Sequence, residues 1–458
     1  MTTSDTPSDP TGLPPGAPAA PGTAQEPPVE SPTSDLRSEP ATGEGPVWRD
    51  RNFGFLWAGE TVAQFGVQLG HIAMPVIAIE LLRATELQVG ILNAAGVAAF
   101  LLVGLPAGAW VDRWLKRATM IRADLVRAAA VLAVPALWFG DLLAMWHLYV
   151  VAAVIGVATV FFDVSYQSYV PILVRPEQVT DANSKLETTA QIARVAGPGV
   201  GGLLLKVISA PMLMVSDAIG YLVSAACLSR VRDHERPSRR EDHGRLREDI
   251  AEGLGFVWRH DLIRRIMFCT SIGNLGFVLA FTLAPLLILR ELDFDPWVMG
   301  AVFSVGAVGG IVGALATPWL GRWMGEGTLI PVSSLAMGAA LAALPLAALA
   351  PSKTVAFVVL VIGEFTISFT VLAYNIMQVS MRQRVCPPRL LGRMNASIRF
   401  VVWGVMPIGA LLSGVIATRV GVVPTMWVGV GITLLASAPV LFSPLLGMRR
   451  LPDRPAGA

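Results

Sequence analysis

A short basic turn between two long apolar runs is the feature that most constrains the fold of this chain. Residues 104–117 read GLPAGAWVDRWLKR, with a nearly uncharged run before them at 87–103 and an apolar run after them at 128–140. A membrane-spanning helix needs about 20 mostly apolar residues. The turn therefore predicts a charged connection between two membrane helices rather than an ordinary loop of a soluble protein.

The rest of the chain repeats this alternation of apolar runs and charged turns. Charged residues make up only 15% of the sequence and hydrophobic residues 53%, whereas soluble domains carry about 25% charged residues. Twelve apolar runs can be placed between residues 52 and 446. We therefore predict an all-α integral membrane protein with twelve transmembrane helices.

Lysine and arginine are distributed unevenly among the predicted turns. Alternate turns carry only Arg83, Lys206, Arg290, Lys353 and Arg419, and the remaining turns carry most of the other basic residues. Because basic residues accumulate on the cytoplasmic side of a membrane, we expect the second group of turns to be cytoplasmic. An even number of spans then places both termini in the cytoplasm of a bacterial cell, as a multi-pass protein of the cytoplasmic membrane.

The sequence also divides into two similar halves. Gly66 and Pro75 in the first predicted helix are matched by Gly276 and Pro285 at almost the same place in the second half. Parallel repeats of this kind place two helix bundles around an axis normal to the membrane, with a substrate site between them near the midplane. We therefore predict two six-helix bundles.

The predicted domain organisation has five segments. The first is rich in Pro, Ser, Thr and Gly and is expected to be disordered, and the linker places Leu246, Ile250, Leu254 and Val257 at helical spacing, as in an interfacial helix. The segments are a cytoplasmic tail at 1–46, a bundle at 47–230, a linker at 231–262, a bundle at 263–447 and a cytoplasmic tail at 448–458.

Polar residues at helical spacing form stripes on several predicted spans. Polar groups are costly in lipid, so such stripes are expected to face a bundle interior or an aqueous cavity. Some of them would simply hold helices together. The candidates for a substrate cavity are Gln64, Gln68, His71, Asn93, Tyr166, Gln167, Gln191, Asn274, Tyr374, Asn375, Gln378 and Trp403.

Asp163 is the leading candidate for a proton-carrying group. It lies within the apolar fourth span, about 10 Å from the inner end at 1.5 Å per residue. Arg194 on the fifth span is predicted at comparable depth, where it could pair with this carboxylate. A static ion pair is the alternative. Glu60 and Glu364 are the next candidates for proton coupling, and Asp217 in the sixth span is expected to be structural.

Five stretches of the chain carry a resemblance to a known transporter family. They are RNFGFLWAGETVAQFG, the GxxxGxxxDR turn, FFDVSYQSYVPILV followed by Asn183, a GPxxGG element, and EDIAEGLGFVWRHDLIRR. The chain resembles the major facilitator superfamily, and within it the branch of enterobactin exporters and macrolide-efflux proteins. The resemblance implies proton-coupled export of amphipathic compounds, with a proton gradient as energy source and no cofactor.

Two motifs of this family can be carried over residue by residue. The turn after the second helix implies a gating latch, which the second half lacks because Gly321 replaces the acid. Its candidate residues are Gly104, Gly108, Asp112, Arg113, Lys116 and Arg117, with Asp124 and Arg127 extending the charge network. The antiporter-type element in the fifth helix comprises Gly197, Pro198, Gly201 and Gly202. One departure is that the fourth helix lacks the arginine that drug antiporters often carry there.

Several functions are alternatives to export. An importer or a lipid-handling transporter of the same fold is the main alternative, and a non-transporting receptor or assembly factor is a further one. An enzyme is not expected, and the sequence contains no GxxxxGK[ST] nucleotide-binding loop. The expected partners are a small-molecule substrate and the lipid bilayer, with no nucleic acid, and the protein is expected to be a monomer.

Overall fold

The computed structural model describes residues 47–111, 114–232 and 254–450. Within these ranges every regular element is helical. The predicted tail at 1–46, most of the predicted linker, the gating candidates Asp112 and Arg113, and the C-terminal residues 451–458 lie outside the described residues.

Six long helices form the first half of the described chain. Asp50 begins the first of them, because its side chain accepts hydrogen bonds from the backbone N–H groups of Asn52 and Phe53. The helices are α1 Arg51–Val76, α2 Glu86–Val111, α3 Lys116–Phe139, α4 Met145–Leu173, α5 Val179–Leu204 and α6 Ala210–Arg230. A π-helical turn, Ile77–Leu81, continues α1.

The second half repeats this arrangement. Its long helices are α7 Asp261–Phe281, α8 Pro296–Met324, α9 Glu326–Leu341, α10 Lys353–Val385, α11 Pro388–Val420 and α12 Val422–Ala436. The segment after α7 ends in a π-helical turn, Leu287–Glu291, as α1 does. Short helical pieces at Ala343–Ala347 and Ala438–Leu441 extend α9 and α12.

Ten of these helices are long and apolar enough to cross a membrane. The other two are α3 and α5, whose lengths of 24 and 26 residues also suffice. Both carry several charged residues, which is why they do not meet a criterion based on mean hydropathy and the number of charged residues. They pack inside the bundles like the others, so the all-α, twelve-helix fold is the one that the sequence predicts.

Helix contacts repeat with an offset of six helices. In the first bundle α1 packs on α5 and α6, α2 on α4, and α3 on α4 and α6. In the second bundle α7 packs on α11 and α12, α8 on α10, and α9 on α10 and α12. The bundles meet along two crossings, α2 with α11 and α5 with α8, which the same offset interchanges.

Glycine allows close approach at both crossings between the bundles. A Cβ atom at Gly90 of α2 would lie 2.6 Å from the carbonyl oxygen of Ala410 on α11, and one at Gly300 of α8 would overlap the carbonyl oxygen of Pro198 on α5. Lipid provides no hydrophobic driving force between helices, so their association depends on such close packing. The crossings therefore tolerate little added volume.

The helix ends define two sides of the molecule. The termini side is where α1 begins and α12 ends, and it carries residues 114–115 between α2 and α3 and the turns at 174–178 and 386–387. The far side carries the turns at 82–85, 140–144, 205–209, 292–295 and 349–352. Val257, in the described part of the predicted interfacial helix, is fully buried in a cluster with Ile263 and Met394, whereas Leu254 is exposed.

Candidate functional site

Asp163 lies in the middle of α4 and faces the gap between the two bundles. Its side chain is exposed, although it is ten residues from the end of the helix. The positive charges that act on it come from Arg127 on α3 and Arg399 on α11 of the other bundle. The Arg399 guanidinium in turn lies 5.4 Å from the ring centroid of Trp403. The carboxyl group is thus within electrostatic reach of both bundles.

Aromatic rings close the gap beside Arg399. The rings of Phe100 on α2 and Trp403 on α11 are 4.5 Å apart, so they join the bundles at this level. Trp403 was among the predicted cavity residues, whereas Phe100 and Arg399 were not. A cation–aromatic contact across two helices leaves no local pattern in the sequence, which explains why both were missed.

Behind Asp163, Arg127 is buried at the centre of the first bundle. It forms an ion pair with Asp124 on the same helix. Its guanidinium carbon lies 4.2 Å from the ring centroid of Phe162 and 4.4 Å from that of Tyr221. Stacking between two aromatic rings is a favourable environment for a guanidinium group.

Three further carboxyl groups, those of Asp163, Asp217 and Glu60, lie within electrostatic range of Arg127. Asp217 of α6 is hydrogen-bonded to the Tyr221 hydroxyl and senses the Arg127 charge. Glu60 of α1 is only 8% exposed and senses the charges of Arg127, Asp124 and Asp163. We refer to Glu60, Asp124, Arg127, Asp163 and Asp217 as the Arg127 cluster. In this cluster the charge of one buried guanidinium group acts on four carboxyl groups.

Not every polar atom of this cluster has a hydrogen-bond partner. The Gln64 side-chain amide donates to a carboxylate oxygen of Glu60 at 2.6 Å. Within the described residues, the second carboxylate oxygen of Asp124 and one of Asp217 accept no hydrogen bond. Uncompensated negative charge is costly inside a membrane protein, so protons on some of these carboxyl groups would lower the cost.

Two expectations about this region need correction. Among the described residues, the cations that act on Asp163 are Arg127 and Arg399, whereas the charge of Arg194 acts on His71. Arg127 and Asp124 do not extend the charges of the turn before α3. They lie two to three helical turns further along α3, inside the bundle, where Arg127 supplies the cation that the sequence of α4 lacks.

Glu364 occupies the middle of the second bundle without a charged partner. It is 8% exposed and belongs to α10. A Cβ atom at Gly306 of α8 would lie 2.5 Å from its Cγ atom, so this glycine makes room for the carboxyl group. Within ranges 47–111, 114–232 and 254–450 no ion pair involves it, and its second oxygen has no hydrogen-bond partner.

Several predicted cavity residues hold helices together. The Tyr374 hydroxyl is 2.7 Å from that of Thr270, which joins α10 to α7. The Asn274 amide donates to the backbone carbonyl of Val402 at 3.2 Å, which joins α7 to α11. The Gln378 amide instead donates to the Asn375 side chain at 3.3 Å within α10. These contacts leave Asn375 exposed but Gln378 and Tyr374 buried.

The remaining cavity candidates lie in the first bundle. The Gln191 amide donates to Glu187 at 2.6 Å along the α5 surface, and the Tyr166 ring lies 6.0 Å from that of Phe162. His71, Asn93 and Gln167 are exposed in mid-helix. Exposed polar side chains are thus present in the interior of α1, α2 and α4.

The GPxxGG element of α5 packs against both bundles. A Cβ atom at Gly197 would overlap the Gln68 side chain of α1, and one at Gly202 would lie 2.9 Å from the Trp297 backbone of α8. The element therefore places a packing surface for α1 and one for α8 on the same helix, with Gly201 next to Leu69.

The described part of the gating turn anchors α3 to α6. Arg117 donates hydrogen bonds to the backbone carbonyls of Leu228 at 2.9 Å and Ser229 at 3.0 Å. These carbonyls belong to the last turn of α6, where a cation is favourable. Gly104 and Gly108 lie within α2, and Lys116 begins α3.

In the part of the chain that the structure describes, no three His, Cys, Asp or Glu side chains are placed to hold a metal ion together.

Comparison with known proteins agrees with this architecture. The chain is 23% identical over 369 residues to Macrolide efflux protein A of Streptococcus pyogenes, covering 80% of this chain and 89% of that protein. It is 25% identical over 385 residues to Multidrug efflux pump Tap of Mycolicibacterium fortuitum, covering 81% and 91% of the two chains.

Solved structures share the fold at lower identity. A bacterial homologue of the iron transporter ferroportin, in its inward-facing state, has a TM-score of 0.64 at 17% identity, covering 85% of this chain and 98% of that one. The nucleoside transporter NupG has a TM-score of 0.66 at 11% identity, with 85% and 98% covered. The sequence profile of the Major Facilitator Superfamily matches residues 56–410. The chain therefore belongs to the Major Facilitator Superfamily.

Proposed function

We propose that this protein exports a small amphipathic compound, such as an antibiotic, in exchange for protons. Members of the superfamily are transporters rather than enzymes, and the similar macrolide and multidrug efflux proteins match most of the chain. The observation that carries the proposal is the Arg127 cluster, whose member Asp163 faces the gap between the bundles.

The cluster provides a physical route from proton binding to cargo release. When Asp163 is protonated, it does not compete with Asp124 for the charge of Arg127. When Asp163 is ionised, it is attracted by both Arg127 and Arg399. Since Arg399 belongs to the other bundle, ionisation adds an attraction across the gap. A cationic cargo would compete with Arg399 for the same carboxylate. Proton and cargo would then occupy the site in alternation.

We further propose how the molecule is placed in the cell. The termini side faces the cytoplasm of a bacterium, in accordance with the basic turns on that side, and the bundles extend over 47–230 and 263–447. The proton gradient is the energy source and no cofactor is needed. Gating is assigned to the turn between α2 and α3, and the cavity to Asp163 and the exposed polar residues of α1, α2 and α4.

Proton release from inverted vesicles tests this function. Vesicles acidified inside are mixed with a macrolide or a cationic dye, and the pH gradient is followed by fluorescence. We expect the cargo to dissipate the gradient with the wild-type protein but not with Asp163→Asn. Asp141→Asn is the matched control, because Asp141 is an exposed acid in the turn between α3 and α4, and it should behave like the wild type.

Two results would count against the proposal. If no compound of the panel dissipates the gradient in wild-type vesicles, proton-coupled export of such compounds is wrong. If Asp163→Asn dissipates the gradient as fast as the wild type, export stands but Asp163 is not the coupling group.

A further inference from the structure

A groove opens on the wall of the first bundle between α3 and α4, apart from the gap that Asp163 faces. It encloses about 460 Å³ and is lined mainly by apolar side chains, among them Val126 and Ala153. Volumes of 300–1,000 Å³ are typical of sites for small molecules. Among the residues that the structure describes, Arg122 is the charged side chain in its lining, and no carboxyl group lines it.

Arg122 lies on the face of α3 that is directed towards lipid. Leu125, Val126, Leu132 and Phe139 are exposed on the same face of this helix. Arg122 itself is exposed, and in the described ranges it forms neither an ion pair nor a hydrogen bond. An unpaired guanidinium among apolar side chains is costly unless an anion neutralises it.

Arg122 lies near the termini-side end of α3, within reach of the lipid headgroups for a long side chain. Arg122 is six residues from the start of α3 on the termini side, which corresponds to about 9 Å. A long arginine side chain covers this distance partly by extending towards the headgroups. Trp110 and Trp114 stack on Phe161 at the mouth of the groove, with ring centroids 6.1 Å and 5.7 Å apart. Tryptophan is enriched at this depth of membrane proteins.

The second bundle has the aromatic pair but no cation on the helix that corresponds to α3. Trp319 and Trp323 stack at 5.9 Å at the corresponding end of α8. The helix α9, which corresponds to α3, reads EGTLIPVSSLAMGAAL and contains neither Lys nor Arg. The fold repeat therefore accounts for the tryptophans, but it does not account for Arg122.

We propose that the α3–α4 groove binds an anionic phospholipid of the termini-side leaflet. The phosphate accepts hydrogen bonds from the Arg122 guanidinium, whose planar donors suit this geometry. An acyl chain lies against Val126, Val157 and Phe161. A lipid with net negative charge is favoured over a zwitterionic one, because the described lining residues offer a cation but no acid for a headgroup ammonium.

Native mass spectrometry of the full-length protein tests this site. The protein is released from detergent with phosphatidylglycerol or phosphatidylcholine of the same acyl chains, and retained lipid is counted. We expect phosphatidylglycerol to be retained selectively by the wild type and about tenfold more weakly by Arg122→Gln. Arg322→Gln is the matched control, because Arg322 is an exposed cation beside the α8 tryptophans.

A second variant separates the groove from the charge. Val126→Trp keeps Arg122 but fills the groove, so it should also lose the selective retention. Both changes are at exposed positions, and equal melting temperatures in lipid-free detergent would verify that the variants are folded. Equal retention of the two lipids, or unchanged retention by Arg122→Gln, would overturn the proposal.

Other occupants would give different results in the melting-temperature and native mass spectrometry measurements. If glycerol phosphate or inorganic phosphate protects the wild type against heat as well as phosphatidylglycerol does, the site binds a free anion and not a lipid. If an Arg122-dependent dimer is seen instead of bound lipid, the groove is an interface between two copies of the chain. Either result would contradict the lipid assignment. None of these outcomes depends on whether the protein exports drugs.

Discussion

Arg127 is held by an acid and two aromatic rings in the interior of a membrane protein. Removing one partner of a buried ion pair typically costs about 3–5 kcal/mol, because the other charge is left uncompensated. We expect Arg127→Gln to lower the melting temperature in detergent markedly, and the double variant Arg127→Gln/Asp124→Asn to recover much of the loss. Circular dichroism at the helix band would measure both, with Arg322→Gln as the control. Equal melting temperatures of all variants would show that the pair contributes little.

Glu364 differs from the Arg127 cluster, because within the described part of the chain no charged group acts to stabilise its ionised form. Gln has the same shape and needs no proton to be neutral, so we expect Glu364→Gln to be as stable as the wild type or more stable. If this carboxyl group carries a coupled proton, uphill export in vesicles is lost while exchange of cargo without a gradient continues. Glu291→Gln, at an exposed position on the far side, is the control. Retained uphill export would exclude Glu364 from coupling.

At the residue scale, the sequence indicated the acids but not their partners. Asp163, Glu60 and Glu364 could be predicted as candidates for proton coupling, because a charged side chain within an apolar run is rare. The assignment of Arg194 to Asp163 failed, because similar depth in two helices does not determine which faces are opposed. That choice depends on helix rotation and packing, which bring Arg127 behind Asp163.

At the element scale, the crossing of α5 and α8 tests how the bundles are held together. A Cβ atom at Gly300 would overlap the Pro198 carbonyl, and backbone atoms cannot move aside as a flexible side chain can. We expect Gly300→Ala to push the two helices apart at the far side. Spin labels at Ile208→Cys and Asp295→Cys, in a background without the native cysteines, would report a longer distance by pulsed electron paramagnetic resonance.

Gly431→Ala is the control for this change, because no atom lies within 4 Å of the Cβ position at Gly431 in α12. This variant should leave the distance unchanged and the stability equal or higher, since Ala favours helix more than Gly does. An unchanged distance in Gly300→Ala would mean that the crossing adapts, and that it does not limit the separation of the bundles.

The helices themselves were predictable to different degrees. Apolar runs and the internal repeat indicated twelve spans, including α3 and α5, whose charges exclude them from a hydropathy criterion. The π-helical turns after α1 and α7 were not predicted. A π turn depends on a shift of backbone hydrogen bonds, which leaves no residue pattern comparable to hydrophobic periodicity.

At the scale of the whole molecule, the far side joins the two bundles through polar contacts as well as glycine crossings. A guanidinium nitrogen of Arg290 donates to the backbone carbonyl of Ala84 at 2.7 Å, and another is 3.8 Å from a Glu86 carboxylate oxygen. The Lys206 ammonium of the first bundle lies 4.5 Å from the ring centroid of Trp297 in the second. The repeat predicted two bundles, but not which loops touch.

Arg290 is the residue whose removal should shift the balance between closed and open far sides. Its ion pair with Glu86 is long and about one-third exposed, so we expect it to contribute little. The hydrogen bond to Ala84 is short, and a bond to a charged donor contributes about 1.5–3 kcal/mol at most. Alternating access requires this contact to break when the far side opens. Loss of about 1–2 kcal/mol would change the ratio of the two states by roughly 5–30-fold.

We therefore expect Arg290→Gln to populate the far-side-open state, seen as a second, longer distance between labels at Ile208→Cys and Asp295→Cys. Arg290→Lys keeps the charge but has a shorter reach and only one nitrogen, so it should give an intermediate population. Lys353→Gln is the control, because Lys353 contacts Asp293 within the same bundle. If Arg290→Gln leaves the distance distribution unchanged, the glycine crossings alone hold the far side closed, and the energy for opening must come from α5 and α8.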